Sequence, residues 1–230
     1  MTKFLRNGIL AVFAFLSVLA CEEEFAFNVN QDSIYTDYEL FYDSDQDITR
    51  ALVKFRFGGP SGTILDLGDS GQVNFNGDKL PFSSVWTGHI KEYPGKIESG
   101  TFEYTNTNGT TYINQTPVFE TADIPASFDT LSKSSSTNLI WQGSSLSANQ
   151  AIALFLGSQS TVFEDALFVV SSEGTNSITL SKEAVGSIAN GATGAILDRQ
   201  TEIEISEGTS KGGVIRSKYR APSKTVIIKE

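Results

Sequence analysis

Short apolar stretches alternate with polar residues along most of the chain, and turn residues punctuate them. The clearest is Ile48–Phe57 (ITRALVKFRF). Ile48, Arg50, Leu52, Lys54 and Arg56 fall on one side of an extended strand. Ala51, Val53, Phe55 and Phe57 fall on the other, wholly apolar and expected to face a core. Gly58-Gly59-Pro60 ends the run. Further strands are predicted at 38–42, 63–67, 72–75, 83–86, 100–105 and 110–113. Asn76-Gly77 and Asn108-Gly109 carry the type I′ hairpin signal.

Residues 117–125 read as a link and first strand of a second module. Strands then follow at 138–141, 150–156, 166–171, 177–180, 195–206, 213–220 and 224–229. In 201–205 (TEIEI), Ile203 and Ile205 are expected inward, with Glu202 and Glu204 outward. Ser147 to Gln150 matches a helix capping box, but Ile152, Leu154 and Leu156 alternate, which favours a strand. Residues 181–188 are the best candidate for a helical turn. Seven or so short strands per ~100 residues, without a βαβ rhythm, predict an all-β protein built from two tandem immunoglobulin-like β-sandwich domains. The expected layout is a leader over 1–20, an acidic and polar tether over 21–36, and sandwiches over 37–116 and 117–230.

The first 21 residues have a different pattern. Lys3 and Arg6 form a basic start, residues 8–19 are apolar, and Val18-Leu19-Ala20-Cys21 closes the run. The run is short of the ~20 apolar residues that span a bilayer. Basic start, apolar middle and small residue at the cut describe a secretory signal. The segment resembles the lipobox of type II signal peptides, with Val18 at −3 and Ala20 at −1. That resemblance implies acylation of the Cys21 sulfur by a diacylglyceryl group and membrane attachment. Two or more acyl chains anchor stably, at ~0.8 kcal/mol per buried CH₂. Cys21 is the only cysteine. Glu22-Glu23-Glu24 follows it and resembles the acidic surface-export signal of Bacteroidota lipoproteins; a solvated acidic stretch is the alternative. The implied location is the outer membrane, facing outward.

Charge narrows the partners. The chain carries 17 Lys and Arg against 27 Asp and Glu, for a net charge of −10. That balance argues against nucleic acid, which needs a basic footprint. The expected partners are the membrane, through the lipid, and either another envelope protein or a glycan.

Candidate chemistry is sparse. Asp43, Asp45 and Asp47 place three carboxylates two residues apart, a spacing that suits either calcium or an exposed Asp-rich turn. Trp86, Tyr93 and Tyr104 are candidates for a sugar-stacking platform, or for core aromatics. Asp32-Ser33-Ile34 and Asp129-Thr130-Leu131 resemble a Bacteroidota O-glycosylation motif, which implicates Ser33 and Thr130. His89, the sole histidine, falls in a segment that reads as a loop. Glu202 and Glu204 imitate a glycosidase pair, but two outward carboxylates on one strand are more simply a solvated face.

The whole chain resembles the Ig-like-domain lipoproteins of Bacteroidota, most clearly in YDSDQDITRALVKFRF, VNFNG and GTFEYTNTNGTTY. The resemblance implies the sandwich fold and brings no catalytic motif or cofactor. The expected role is a non-catalytic binding or interaction module. A glycan-binding accessory lipoprotein is the alternative, and a hydrolase of unrecognised type the third reading.

Overall fold

The computed structural model describes residues 24–157 and 166–230. Its regular elements are strands, apart from two 3₁₀ turns (Ala26–Asn28 and Gln31–Ser33) and one short helix, α1 (Lys182–Gly186). The first half holds β1 (Glu24–Phe25), β2 (Ile34–Asp43), β3 (Ile48–Phe57), β4 (Thr63–Asp66) and β5 (Gln72–Phe75). It continues with β6 (Asp78–Lys79), β7 (Phe82–Ser83), β8 (Gly88–Pro94), β9 (Thr101–Thr105) and β10 (Thr111–Gln115). The second half holds β11 (Thr130–Ser132), β12 (Thr137–Ile140), β13 (Gln150–Gly157) and β14 (Ala166–Val170). It ends with β15 (Ser177–Leu180), β16 (Gly191–Glu204), β17 (Gly213–Arg220) and β18 (Lys224–Lys229). The protein is all-β.

The strands form a 12-stranded sheet, a four-stranded sheet (β10-β9-β5-β6) and a two-stranded one (β12-β15). The long sheet runs β1-β4-β3-β2-β17-β16-β13-β14. β8 and β7 branch from β3, and β18 and β11 from β16.

Inward alternation builds the core. Tyr38 and Leu40 of β2 and Ala51, Val53 and Phe55 of β3 are fully buried. The four-stranded sheet covers them: Tyr38 meets Phe102 at 5.0 Å between ring centroids, and Phe55 meets Tyr104 at 4.5 Å. In the second half Ile152, Leu154, Ala195 and Leu197 line the long sheet. Leu139, Trp141, Ile178 and Leu180 join them in one continuous apolar cluster. Each large aliphatic or aromatic side chain buried there contributes about 1.5–3 kcal/mol.

The expected boundary at 116/117 does not divide the sheets. β2 pairs in parallel with β17, from Thr36 opposite Gly213 to Asp43 opposite Arg220. The turn between β16 and β17 is clamped by first-half residues. The buried Asn114 side chain accepts hydrogen bonds from the Ser206 and Glu207 amides and donates to the Glu207 carbonyl at 2.8 Å. Thr209 Oγ1 donates to the Ile34 carbonyl at 2.6 Å. Backbone pairing across the junction satisfies two strand edges that separate modules would leave open.

Other expectations need correction. The part of the expected tether that is described, 24–36, is folded onto the body. Ala26 is buried, and Gln31 Nε2 donates to the Ala26 and Val29 carbonyls at 2.6 and 3.0 Å. Residues 83–86 are a turn except at Ser83, and the segment that read as a loop around His89 is β8. Mixed polar residues on both faces hide its alternation. Residues 117–125 contribute only a bridge from Asp123 to Gln142. Asn76 and Gly77 both have positive φ, as a type I′ turn requires. Asn108 does not. Its hairpin is a wider loop organised by Asn106 Oδ1, which accepts the Asn108 and Thr110 amides at 3.0 and 2.9 Å. Phe57 and Ile203 lie at strand ends and stay partly exposed.

Candidate functional site

The face of β2 turned away from the core carries Asp37, Glu39 and Phe41, and ends at the buried Asp43. Register places Lys218 of β17 on one side of Phe41 and Arg50 of β3 on the other. Lys218 Nζ lies 5.0 Å from the Phe41 ring centroid. The Arg220 and Arg50 guanidinium carbons lie 5.1 and 5.6 Å away. Arg50 also sits 5.6 Å from the Trp86 ring. Each cation over a ring face gains about 0.5–1 kcal/mol where solvent reaches it.

Carboxylates balance these cations. Arg50 Nε donates to Glu92 at 2.7 Å. Arg220 makes a forked pair with Asp198, at 2.7 and 2.9 Å, and Lys218 reaches the same carboxylate at 2.9 Å. Burial pushes the Asp198 carboxyl upward, but the hydrogen bonds and charges of Arg220 and Lys218 together outweigh it and hold it below the usual value. Further along, Arg216 bridges Asp37 at 2.8 Å and Glu202 at 2.9 Å.

Trp86 is displayed by a strained turn. Thr87 has a φ of 48°, a conformation that opposes its β-branched side chain. Its Oγ1 donates to the Trp86 carbonyl at 2.7 Å. Trp86 and its neighbour Val85 are exposed. The result is an ordered aromatic and cationic face that is partly exposed at Trp86.

The sequence-predicted residues are dispersed. Asp43 is buried, and its Oδ1 accepts the Asp45 amide at 3.1 Å. Asp45 instead accepts the Ser223 amide at 3.0 Å, and Asp47 accepts the Tyr42 hydroxyl at 2.9 Å. Each carboxylate has its own partner. Among the described residues no three His, Cys, Asp or Glu side chains are grouped to hold a metal ion. Trp86, Tyr93 and Tyr104 share no platform. Tyr104 is buried between the sheets, and Tyr93 packs on Phe75 with its hydroxyl pushed up to about 12 by burial. Ser33 is half-buried in a 3₁₀ turn, and Thr130 is exposed on β11. Cys21, Glu22 and Glu23 lie outside the described residues, whereas Glu24 pairs with Leu65 in β1.

His89 is a buried joint. Nδ1 donates to the Leu80 carbonyl at 3.1 Å, and Nε2 accepts the Leu67 amide at 3.3 Å. Both ring nitrogens are used by backbone, and burial lowers the imidazole's affinity for a proton. Glu202 is held by Arg216.

Arg199 was legible but unrecognised. It takes the inward position after Ala195 and Leu197, where a charge is out of place. Its guanidinium donates to the Thr121 carbonyl at 3.2 Å, the Ser144 carbonyl at 2.9 Å and Gln150 Oε1 at 2.6 Å.

No protein-family model and no curated protein matches the chain. Among solved structures, the chain is similar to one from work described as "Structural insight into host cell surface retention of a 1.5-MDa bacterial ice-binding adhesin". The identity is 10% and the TM-score 0.23, over 85% of this chain and 65% of that one. So loose a superposition carries no argument about function.

Proposed function

We propose that this chain is a lipid-anchored protein of the bacterial outer membrane, facing outward, that works as a non-catalytic binding module. The leader ending in Val18-Leu19-Ala20-Cys21 carries this reading. It supplies both the export route and the acylation point. The face around Phe41, Arg50 and Trp86 supports a binding role, because its charged and aromatic groups are held in place before any partner arrives. In architecture we read two immunoglobulin-like sandwiches fused edge to edge through β2 and β17. The separate covering sheets, β10-β9-β5-β6 and β12-β15, support that reading.

The experiment is protease treatment of intact cells, with the protein followed by antibody. Digestion without lysis supports outward display, and a protected protein contradicts it. The exposed Trp86 favours a second reading, glycan binding. Glycan-array signal lost on Trp86→Ala would promote that reading over an envelope-protein partner.

A further inference from the structure

The body begins close to the acylation point. Four residue steps separate Cys21 from Phe25, and a trans chain advances at most ~3.6 Å per step, so their Cα atoms lie within about 14 Å. At that point the surface carries two exposed phenylalanines. Phe25 and Phe27 are 45% and 52% exposed, and their rings stack at 5.2 Å with an interplanar angle of 15°.

The pair is fixed from beneath. Glu24 and Phe25 pair in parallel with Leu65 and Asp66. Ala26, between the two rings in sequence, is buried, and the Gln31 side chain ties down its carbonyl. A Cβ added at Gly68 would lie 3.5 Å from the Phe25 ring and 3.7 Å from the Phe27 ring, so the two rings lean over that glycine. Two ordered aromatic rings left in water lose little entropy on docking.

We propose that Phe25 and Phe27 dock into the interfacial layer of the bilayer that holds the acyl chains, and so fix the orientation of the body on the membrane. The proposal rests on the lipid-anchor reading. Lipid is the occupant because acylated Cys21 brings a bilayer within reach of the pair, and aromatic rings partition well at that depth. Glu22, Glu23 and Glu24 precede the pair in sequence, and Asp66 lies opposite Phe25 in the strand pairing. They keep the contact shallow and favour zwitterionic over anionic headgroups.

The test uses the acylated full-length mature protein in phosphatidylcholine vesicles brominated on the acyl chains. Phe27→Trp is compared with the unsubstituted protein, whose tryptophans are Trp86 and Trp141. Docking predicts that the variant floats with the vesicles and shows an added blue-shifted emission, quenched about twofold or more by the bromines. The unsubstituted protein should show little quenching. Adding Phe25→Asp to the variant should abolish the extra quenching without releasing the protein. A variant that floats but is not quenched overturns the docking and leaves the anchor standing. A protein that does not float overturns both.

Discussion

Arg199 Nη2 lies 2.7 Å from Glu120 Oε2, with the arginine side chain 1% exposed and the glutamate 40% exposed. The asymmetry fixes what each partner contributes. Arg199 also serves the Thr121, Ser144 and Ser145 carbonyls, so it ties two loops to β16. Removing it orphans acceptors in the interior, whereas Glu120 can regain water. Arg199→Ala is expected to cost about 3 kcal/mol. Glu120→Ala should cost about 1 kcal/mol, reduced by its exposure. Urea denaturation of both variants checks the order; equal losses would contradict it.

His89 makes stability depend on pH. Burial lowers its proton affinity in the fold, while the unfolded chain titrates near ~6.5. The unfolded state therefore binds more protons as pH falls, and the fold loses stability. The contribution is complete above about pH 6.5 and declines as pH drops through the depressed folded value. His89→Gln is expected to remove the part of the slope that sets in as pH falls below about 6.5. Thermal melts across that window check it.

Asp198 has the same sign at lower pH. Its carboxyl sits below the usual value, so the Arg220 and Lys218 pairs are complete above about pH 4 and weaken below it. Asp198→Asn should flatten the melting temperature below pH 4.

Phe41 is expected to matter through its ring. Phe41→Leu keeps apolar bulk but removes the surface that three cations share. The expected loss is about 1 kcal/mol. Thermal or urea denaturation checks it, and a variant as stable as the parent would show that the cations gain nothing from the ring.

The β2 and β17 junction has a built-in test. A Cβ at Gly213 would fall 2.2 Å from the Thr36 carbonyl oxygen, a backbone atom that cannot step aside. Gly213→Ala is expected to destabilise by about 1–3 kcal/mol. Hydrogen exchange should show faster opening of both β2 and β17. Opening confined to β17 would mean that the two halves are not coupled there.

Much of the fold was legible because strands of alternating polarity announce themselves. β3, β5, β15, β17 and β18 match the predicted limits, since each buries one clean face. β8 escaped notice because His89, Lys91 and Glu92 mix polarity on a strand whose faces meet both a core and a salt bridge. The sheet shared by the halves was not legible, since parallel pairing between residues 36 and 213 leaves no local signal. The cationic face was half-legible: Arg216, Lys218 and Arg220 alternate in RSKYR, but only strand order sets Lys218 and Arg220 beside Phe41. In sequence Tyr104 fits a surface platform as well as a core, because a strand's sequence does not say which of its faces is covered.

The proposed place of this protein on the membrane depends on the chemistry at one sulfur. The most direct measurement is the mass of the N-terminal peptide from protein purified out of its own membranes. Lipid anchoring predicts a chain that starts at Cys21 and carries a diacylglyceryl group. A peptide that still begins at Met1, or one with a free thiol at Cys21, contradicts it.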